Sequence, residues 1–229
     1  LTEKPIFTGA ATALATPFRP GGIDYKSLGR LLDFQLENGT DALVVCGTTG
    51  EAPTLTRAER RKIVAFAAER INGRAPLIAG AGCNDTEKAK KFAADARAAG
   101  ADALLIVTPY YNKCTPDGLV KYFAEVSEAG GLPFIAYSVP SRTGMNVAPE
   151  TAKKIASLPL AAGIKDCGDI TGTARTIAEC GAGFPVYCGN DQLILPVLSL
   201  GGAGVISVLA NIRPAQVRTL CRLFAQGDV

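Results

Sequence analysis

Lys165 ends the apolar run Leu158-Pro159-Leu160-Ala161-Ala162-Gly163-Ile164 and is followed at once by Asp166, in a chain of 229 residues that contains no histidine. Histidine is the usual side chain titrating near neutral pH. Without it, acid–base chemistry must draw on Lys, Tyr, Asp, Glu, Cys or water. A lysine at the end of a buried strand suits covalent amine catalysis, because loss of water favours its neutral, nucleophilic form. An unperturbed lysine titrates near ~10.4, and bringing it to about 7 takes roughly 4–5 kcal/mol of differential interaction. Position alone favours a plainer reading, a surface lysine where a strand runs into a loop. Only the company Lys165 keeps can decide.

That company is rich in hydroxyls. Thr48-Thr49 lie between Gly47 and Gly50-Glu51, Tyr110-Tyr111-Asn112 follow Thr108-Pro109, and Arg142 comes five residues after Tyr137. Hydroxyls around an amine can relay protons and bind carboxylates, and an arginine fork suits a carboxylate. Each group taken singly also has an ordinary explanation: a capped turn, a packing aromatic, a solvated loop arginine. Asn190-Asp191 read most simply as a cap on the next helix. Seven cysteines, at 46, 83, 114, 167, 180, 188 and 221, include no Cys-x-x-Cys pair. They argue against a disulfide framework and against zinc. Cys167, two residues past Lys165, has no histidine to activate it. No metal is expected.

The elements that must position these groups repeat one pattern, a short apolar run, a turn, then an amphipathic segment. Strands are expected at Gly9–Ala15, Ala42–Cys46, Leu77–Gly80, Ala103–Thr108, Phe134–Ser138, Ala161–Lys165, Val186–Cys188 and Val205–Val208. Helices are expected near Tyr25–Glu37, Arg57–Ile71, Glu87–Ala99, Pro116–Ala129, Glu150–Ser157, Gly172–Glu179, Gln192–Leu200 and Pro214–Ala225. Thr56 and Glu59 have capping-box spacing, and Thr115-Pro116 places a cap before a first-turn proline. Eight strand–helix units in one α/β domain, residues 1–229, predict a (β/α)8 TIM barrel. A doubly wound sheet is the alternative, but Gly80-Ala81-Gly82 lacks the third glycine of a phosphate loop. In a barrel, all of the groups named above fall at the C-terminal strand ends, where such folds place their chemistry.

Composition adds bounds. The chain is 48% hydrophobic with net charge +3. Its densest basic group, Arg57, Arg60, Arg61 and Lys62, reads as a solvated helix face, with no nucleic-acid partner expected. No run approaches the roughly 20 apolar residues of a membrane span. The start, Leu1-Thr2-Glu3-Lys4-Pro5, lacks signal-peptide features. A cytoplasmic protein is expected.

Five ordered motifs now resemble one family. They are Gly47-Thr48-Thr49-Gly50-Glu51, Tyr110-Tyr111-Asn112-Lys113, Tyr137-Ser138-Val139-Pro140-Ser141-Arg142-Thr143-Gly144, Ile164-Lys165-Asp166 and Gly201-Gly202-Ala203-Gly204-Val205-Ile206-Ser207. Together they look like the dihydrodipicolinate synthases (4-hydroxy-tetrahydrodipicolinate synthases), within the pyruvate-dependent class I aldolase and N-acetylneuraminate lyase superfamily. The resemblance implies a lyase of lysine and diaminopimelate biosynthesis that needs no metal or organic cofactor. Lys165 would form a Schiff base with pyruvate, whose enamine condenses with L-aspartate 4-semialdehyde. By the same resemblance, Tyr137 is the main proton carrier, and Thr48 links it to Tyr111, which reaches in from a neighbouring subunit of a homo-oligomer. Thr49 helps bind the pyruvate carboxylate, with Gly189 and Ile206 lining the pocket, and Arg142 holds the carboxylate of the aldehyde substrate. Sugar-acid and N-acetylneuraminate lyases share the lysine and tyrosine, and do not generally carry an arginine followed by Thr-Gly where Arg142 stands. An inactive keto-acid-binding barrel is the remaining alternative, against which every expected catalytic residue is present.

Two departures qualify the resemblance. The family's usual C-terminal helical domain is apparently missing after Pro214–Ala225, which suggests a dimer in place of a tetramer. Regulated members bind lysine near Ala52, Pro53, Arg57, Arg60, Asn84, Lys88 and Tyr110. Here Lys88 sits where an acid would be wanted, and Arg57 and Arg60 replace histidines, so weak or absent lysine inhibition is expected.

Overall fold

The computed structural model describes residues 5–228. Eight parallel strands close a barrel: β1 Gly9–Ala13, β2 Ala42–Val45, β3 Leu77–Gly80, β4 Ala103–Val107, β5 Phe134–Ser138, β6 Ala161–Asp166, β7 Val186–Cys188 and β8 Gly204–Ser207. They pair in sequence order, and β1 closes the ring by pairing with both β2 and β8. A helix follows each strand: α1 Tyr25–Glu37, α2 Arg57–Ile71, α3 Thr86–Ala98, α4 Pro116–Gly130, α5 Pro149–Ala156, α6 Ile170–Cys180, α7 Ile194–Ser199 and α8 Pro214–Ala225. Closure rules out the doubly wound sheet.

Local chemistry starts the helices where the sequence says it should. Thr56 accepts from the Glu59 N–H while Glu59 reaches back to the Thr56 N–H, completing the capping box of α2. Asp24, Thr115 and Asp169 cap α1, α4 and α6 through their side chains. Each such cap is worth about 1 kcal/mol. Four strands end sooner than expected, and β6 runs one residue longer, to Asp166. β1 stops at Ala13, two residues short of the expected Ala15, and β8 stops at Ser207. A two-stranded hairpin, Phe18–Arg19 with Gly22–Ile23, lies beyond β1, in a stretch with no expected element.

The register sets the top of the barrel. Val107 of β4 pairs with Tyr137 of β5, Tyr137 with Lys165 of β6, and Lys165 with Tyr187 of β7. Four chemically unequal side chains thus lie abreast on adjoining strands. The lumen beneath them is packed by Ala11, Ala13, Ala42, Val44, Ala103, Leu105 and Ile135 around Phe7 and Tyr187. Phe7 and Tyr187 stack with ring centroids 4.4 Å apart, and the Tyr187 hydroxyl donates to the Phe7 carbonyl at 2.8 Å. Small residues on one side of a narrow barrel make room for a large aromatic on the other.

Gly163 is part of that accommodation. Its φ is +142°, and a Cβ there would lie 2.6 Å from the Pro185 carbonyl oxygen and 3.1 Å from the Tyr187 ring. Gly163→Ala combines backbone strain with overpacking, each costing roughly 1–3 kcal/mol. A melting-temperature drop of roughly 5–10 °C is expected. An unchanged thermal melt would mean that β6 has slack at this position.

Candidate active site

Lys165 belongs to the barrel interior. It is 3% exposed, and its ammonium nitrogen lies 4.5 Å from the centroid of the Tyr137 ring, which is itself 5% exposed. Register explains the meeting: the two residues are direct partners on adjacent parallel strands. The next residue, Asp166, is committed elsewhere. Its carboxylate accepts from the Thr173 hydroxyl at 2.8 Å and from the Gly168 N–H at 2.9 Å. Among the described residues no carboxylate forms an ion pair with Lys165.

Burial is therefore the largest influence on its titration. Loss of water pulls the Lys165 pKa below its ordinary value, opposed by Cys167, Asp191 and Cys188 and assisted by Arg142. Burial, reinforced by the Cys167 thiol, pushes the Tyr137 phenol well above its usual range, while Thr48 and Arg142 act in the opposite sense. Burial thus disfavours both the charged amine and the ionised phenol, which lie side by side. That is a nucleophile beside a proton donor, assembled without histidine.

Gly189 follows β7 and its backbone N–H donates to the Asp166 carbonyl at 2.8 Å. A Cβ on Gly189 would lie 2.2 Å from Cys167 Sγ and 2.9 Å from Lys165 Cε. Only a bare backbone leaves room there for the lysine side chain. Ile206 of β8 is fully buried in the same luminal cluster as Tyr137 and Tyr187.

A cavity of about 260 Å3 opens beside Tyr137, and Thr48, Val107, Tyr110 and Arg142 share its wall. Arg142 is carried by a one-turn helix, Pro140–Thr143, which starts at Pro140 and is ended by Gly144 at φ +68°. The guanidinium is exposed and, among the described residues, forms no ion pair. Thr49 is half-buried and does not line the cavity. Tyr111 is 93% exposed, with a left-handed φ of +70°, and it is absent from the cavity wall of its own chain.

Residues 6–229 match the Dihydrodipicolinate synthetase family. The chain belongs to that family. It is 45% identical to the 4-hydroxy-tetrahydrodipicolinate synthase of Acetivibrio thermocellus over 227 residues, 99% of this chain and 77% of that one. It is 48% identical to the synthase of Caldicellulosiruptor saccharolyticus over 227 residues, covering 98% and 77%. Its fold superposes on dihydrodipicolinate synthase from Thermotoga maritima with a TM-score of 0.95 at 44% identity, covering 97% of this chain and 77% of that one. The chain thus spans about three quarters of the length of these family members.

Three features of this family member escape a reading of the sequence. Arg60, expected on a solvated helix face, is 7% exposed and lines the cavity. Nothing in its local spacing signals this: Phe92, on α3, lies under its guanidinium, 4.2 Å from the carbon to the ring centroid. Asp191, expected to cap the helix that follows it, instead accepts from the Ser207 hydroxyl at 2.5 Å and from the Leu209 N–H at 2.9 Å. It thereby holds the turn beyond β8. Cys167, set aside on sequence grounds, packs against Gly189 and Lys165. Among the described residues no group of His, Cys, Asp and Glu could hold a metal, and no helix is long and apolar enough to cross a membrane.

Proposed function

We propose that this chain condenses pyruvate with L-aspartate 4-semialdehyde to give 4-hydroxy-tetrahydrodipicolinate, the product for which its relatives are named. The observation that carries the reading is the buried Lys165 amine under the Tyr137 ring, beside a cavity that presents Arg142. The neutral amine attacks the keto carbon, and the carbinolamine oxygen leaves as water to give an imine. Loss of a methyl proton turns the imine into an enamine. The enamine carbon then bonds to the aldehyde carbon, whose oxygen takes up a proton. The amine of the semialdehyde closes the ring on the imine carbon and frees Lys165.

Each proton in that sequence needs a carrier. Tyr137 is next to the amine, and Thr48 on the cavity wall is the group that would pass protons on. Thr49 and the backbone near Gly189 and Ile206 would hold the pyruvate carboxylate, and Arg142 that of the aldehyde substrate. Incubation with pyruvate followed by borohydride should leave a reduced adduct on Lys165, and addition of the aldehyde should give turnover. Folded protein that forms no adduct would sink the proposal.

Tyr111 supports a homo-oligomer. A tyrosine almost wholly exposed on a strained left-handed backbone packs against nothing in its own chain, and such strain persists where function holds it. A second copy placing Tyr111 beside Thr48 would complete the relay. Specific activity should then fall on dilution in step with dissociation seen by light scattering. Constant specific activity in monomer would overturn the shared site.

A further inference from the structure

Asp191 is a carboxylate fixed by three donors. It lies two residues beyond Gly189 in the loop after β7, and it accepts from the Ser207 hydroxyl at 2.5 Å, the Leu209 N–H at 2.9 Å and the Val208 N–H at 3.2 Å. The turn that supplies those donors is itself tied down. The Ala210 N–H donates to Ser207 Oγ at 2.9 Å. Asn211 bridges to the end of β1, accepting from the Ala15 N–H at 3.0 Å and donating to the Ala13 carbonyl at 2.8 Å. A belt of side chains thus holds one negative charge at the rim over β7, β8 and β1.

That charge has a cation to face. When water leaves the carbinolamine, the Lys165 nitrogen becomes a protonated, positively charged imine, in a position that is 3% exposed. Asp166 cannot balance it, because strand alternation turns its carboxylate away from Lys165 and onto Thr173 of α6. Asp169 caps the same helix. Lys165 Cε instead packs at Gly189, on the loop that carries Asp191. The groups around the amine are Tyr137 of β5, Cys167 after β6, Tyr187 and Cys188 of β7, Asp191, and Arg142 from the loop after β5. Burial lowers the Lys165 pKa, and Cys167, Asp191 and Cys188 oppose it. Burial also pushes both thiols up, Cys188 to about 11, which leaves Asp191 as the anion of that set. Arg142 acts in the other sense from an exposed position, where salt screens it more.

We infer that Asp191 is an electrostatic positioning residue, a preset anion that stabilises the cationic imine on Lys165 from beyond ion-pair distance. The inference rests on the condensation proposed above. A charge already held by the belt needs no reorganisation when the cation forms, which is where such fixed groups are most effective.

Two readouts test it. In the whole chain labelled with carbon-13 at lysine, the Lys165 Cε resonance, assigned by its loss in Lys165→Met, reports the titration with no pyruvate present. Asp191→Asn can still bond to Leu209 and Ser207 but has no charge, so Lys165 should titrate at lower pH than in the unaltered chain. Ser207→Ala weakens the belt and keeps the charge, so the midpoint should stay in place. Borohydride trapping of pyruvate is then timed above both midpoints, where the amine is neutral in each chain. There Asp191→Asn should form the adduct roughly tenfold more slowly. A purely structural clamp would lower the melting temperature of both variants and move neither readout. An unshifted midpoint in folded Asp191→Asn, or a trapping rate within about twofold of the unaltered chain, overturns the assignment while the condensation stands. No adduct in the unaltered chain removes both. If Asp191→Asn does not fold by circular dichroism, Asp191→Ser replaces it, and failure of both to fold would make Asp191 structural and overturn the assignment as well.

Discussion

Lys165→Met is expected to abolish both borohydride trapping of pyruvate and turnover, a loss of roughly 10^6-fold or more on the scale of enzymatic rate accelerations. Methionine matches the length and flexibility of the lysine stem, so the buried site stays filled. It also removes an amine that burial penalises in its charged form. The variant should therefore melt no lower than the unaltered chain, which separates lost chemistry from lost fold. The pH dependence carries the same signature. Only the neutral amine attacks, so the adduct rate should rise with pH through the Lys165 pKa and level off above it. Because burial lowers that pKa, levelling should come below the ~10.4 of an ordinary lysine. An adduct formed equally well by Lys165→Met would assign the chemistry to another amine.

Tyr137→Phe should be the second largest effect, a fall in kcat of about 10^2–10^4-fold, the usual worth of a positioned acid–base group. The substitution keeps the ring that covers the Lys165 nitrogen at 4.5 Å and deletes only the hydroxyl. Lys165 should stay buried and still be trapped by pyruvate and borohydride, with condensation slowed after that point. A loss of less than about tenfold would show that water or Thr48 carries the protons and that Tyr137 serves chiefly to pack over the amine.

Much of this arrangement is legible in the residues. Buried parallel strands are short, nearly all-apolar runs, and glycine, proline and capping residues set them apart from the helices. Lys165 and Tyr137 come at the ends of two such runs, and the barrel rule sends both to one rim. What the sequence hides is pairing at a distance. Nothing local tells that Arg60 turns inward over Phe92 while Arg57, three residues earlier, turns outward to Asp95. Asp191 looks like a cap for the helix after it, and only closure of the barrel brings Ser207 and Leu209 within its reach. Two-residue strands such as Phe18–Arg19 are too short to carry a period at all. The Tyr110-Tyr111 motif carries the expectation that Tyr111 works in a neighbouring subunit, and its 93% exposure is the observation on which that proposal rests.

The stacked pair of Phe7 and Tyr187 has a consequence for the lysine above it. Tyr187 is the register partner of Lys165, and Phe7 holds it through both ring and carbonyl. The two rings act as a dielectric stopper, keeping solvent out of the lumen below the amine. A fusion tag or deletion reaching Phe7 would unplug it, rehydrate the interior and return Lys165 towards its charged form. Phe7 is in this sense a remote throttle on the nucleophile, though it does not line the cavity.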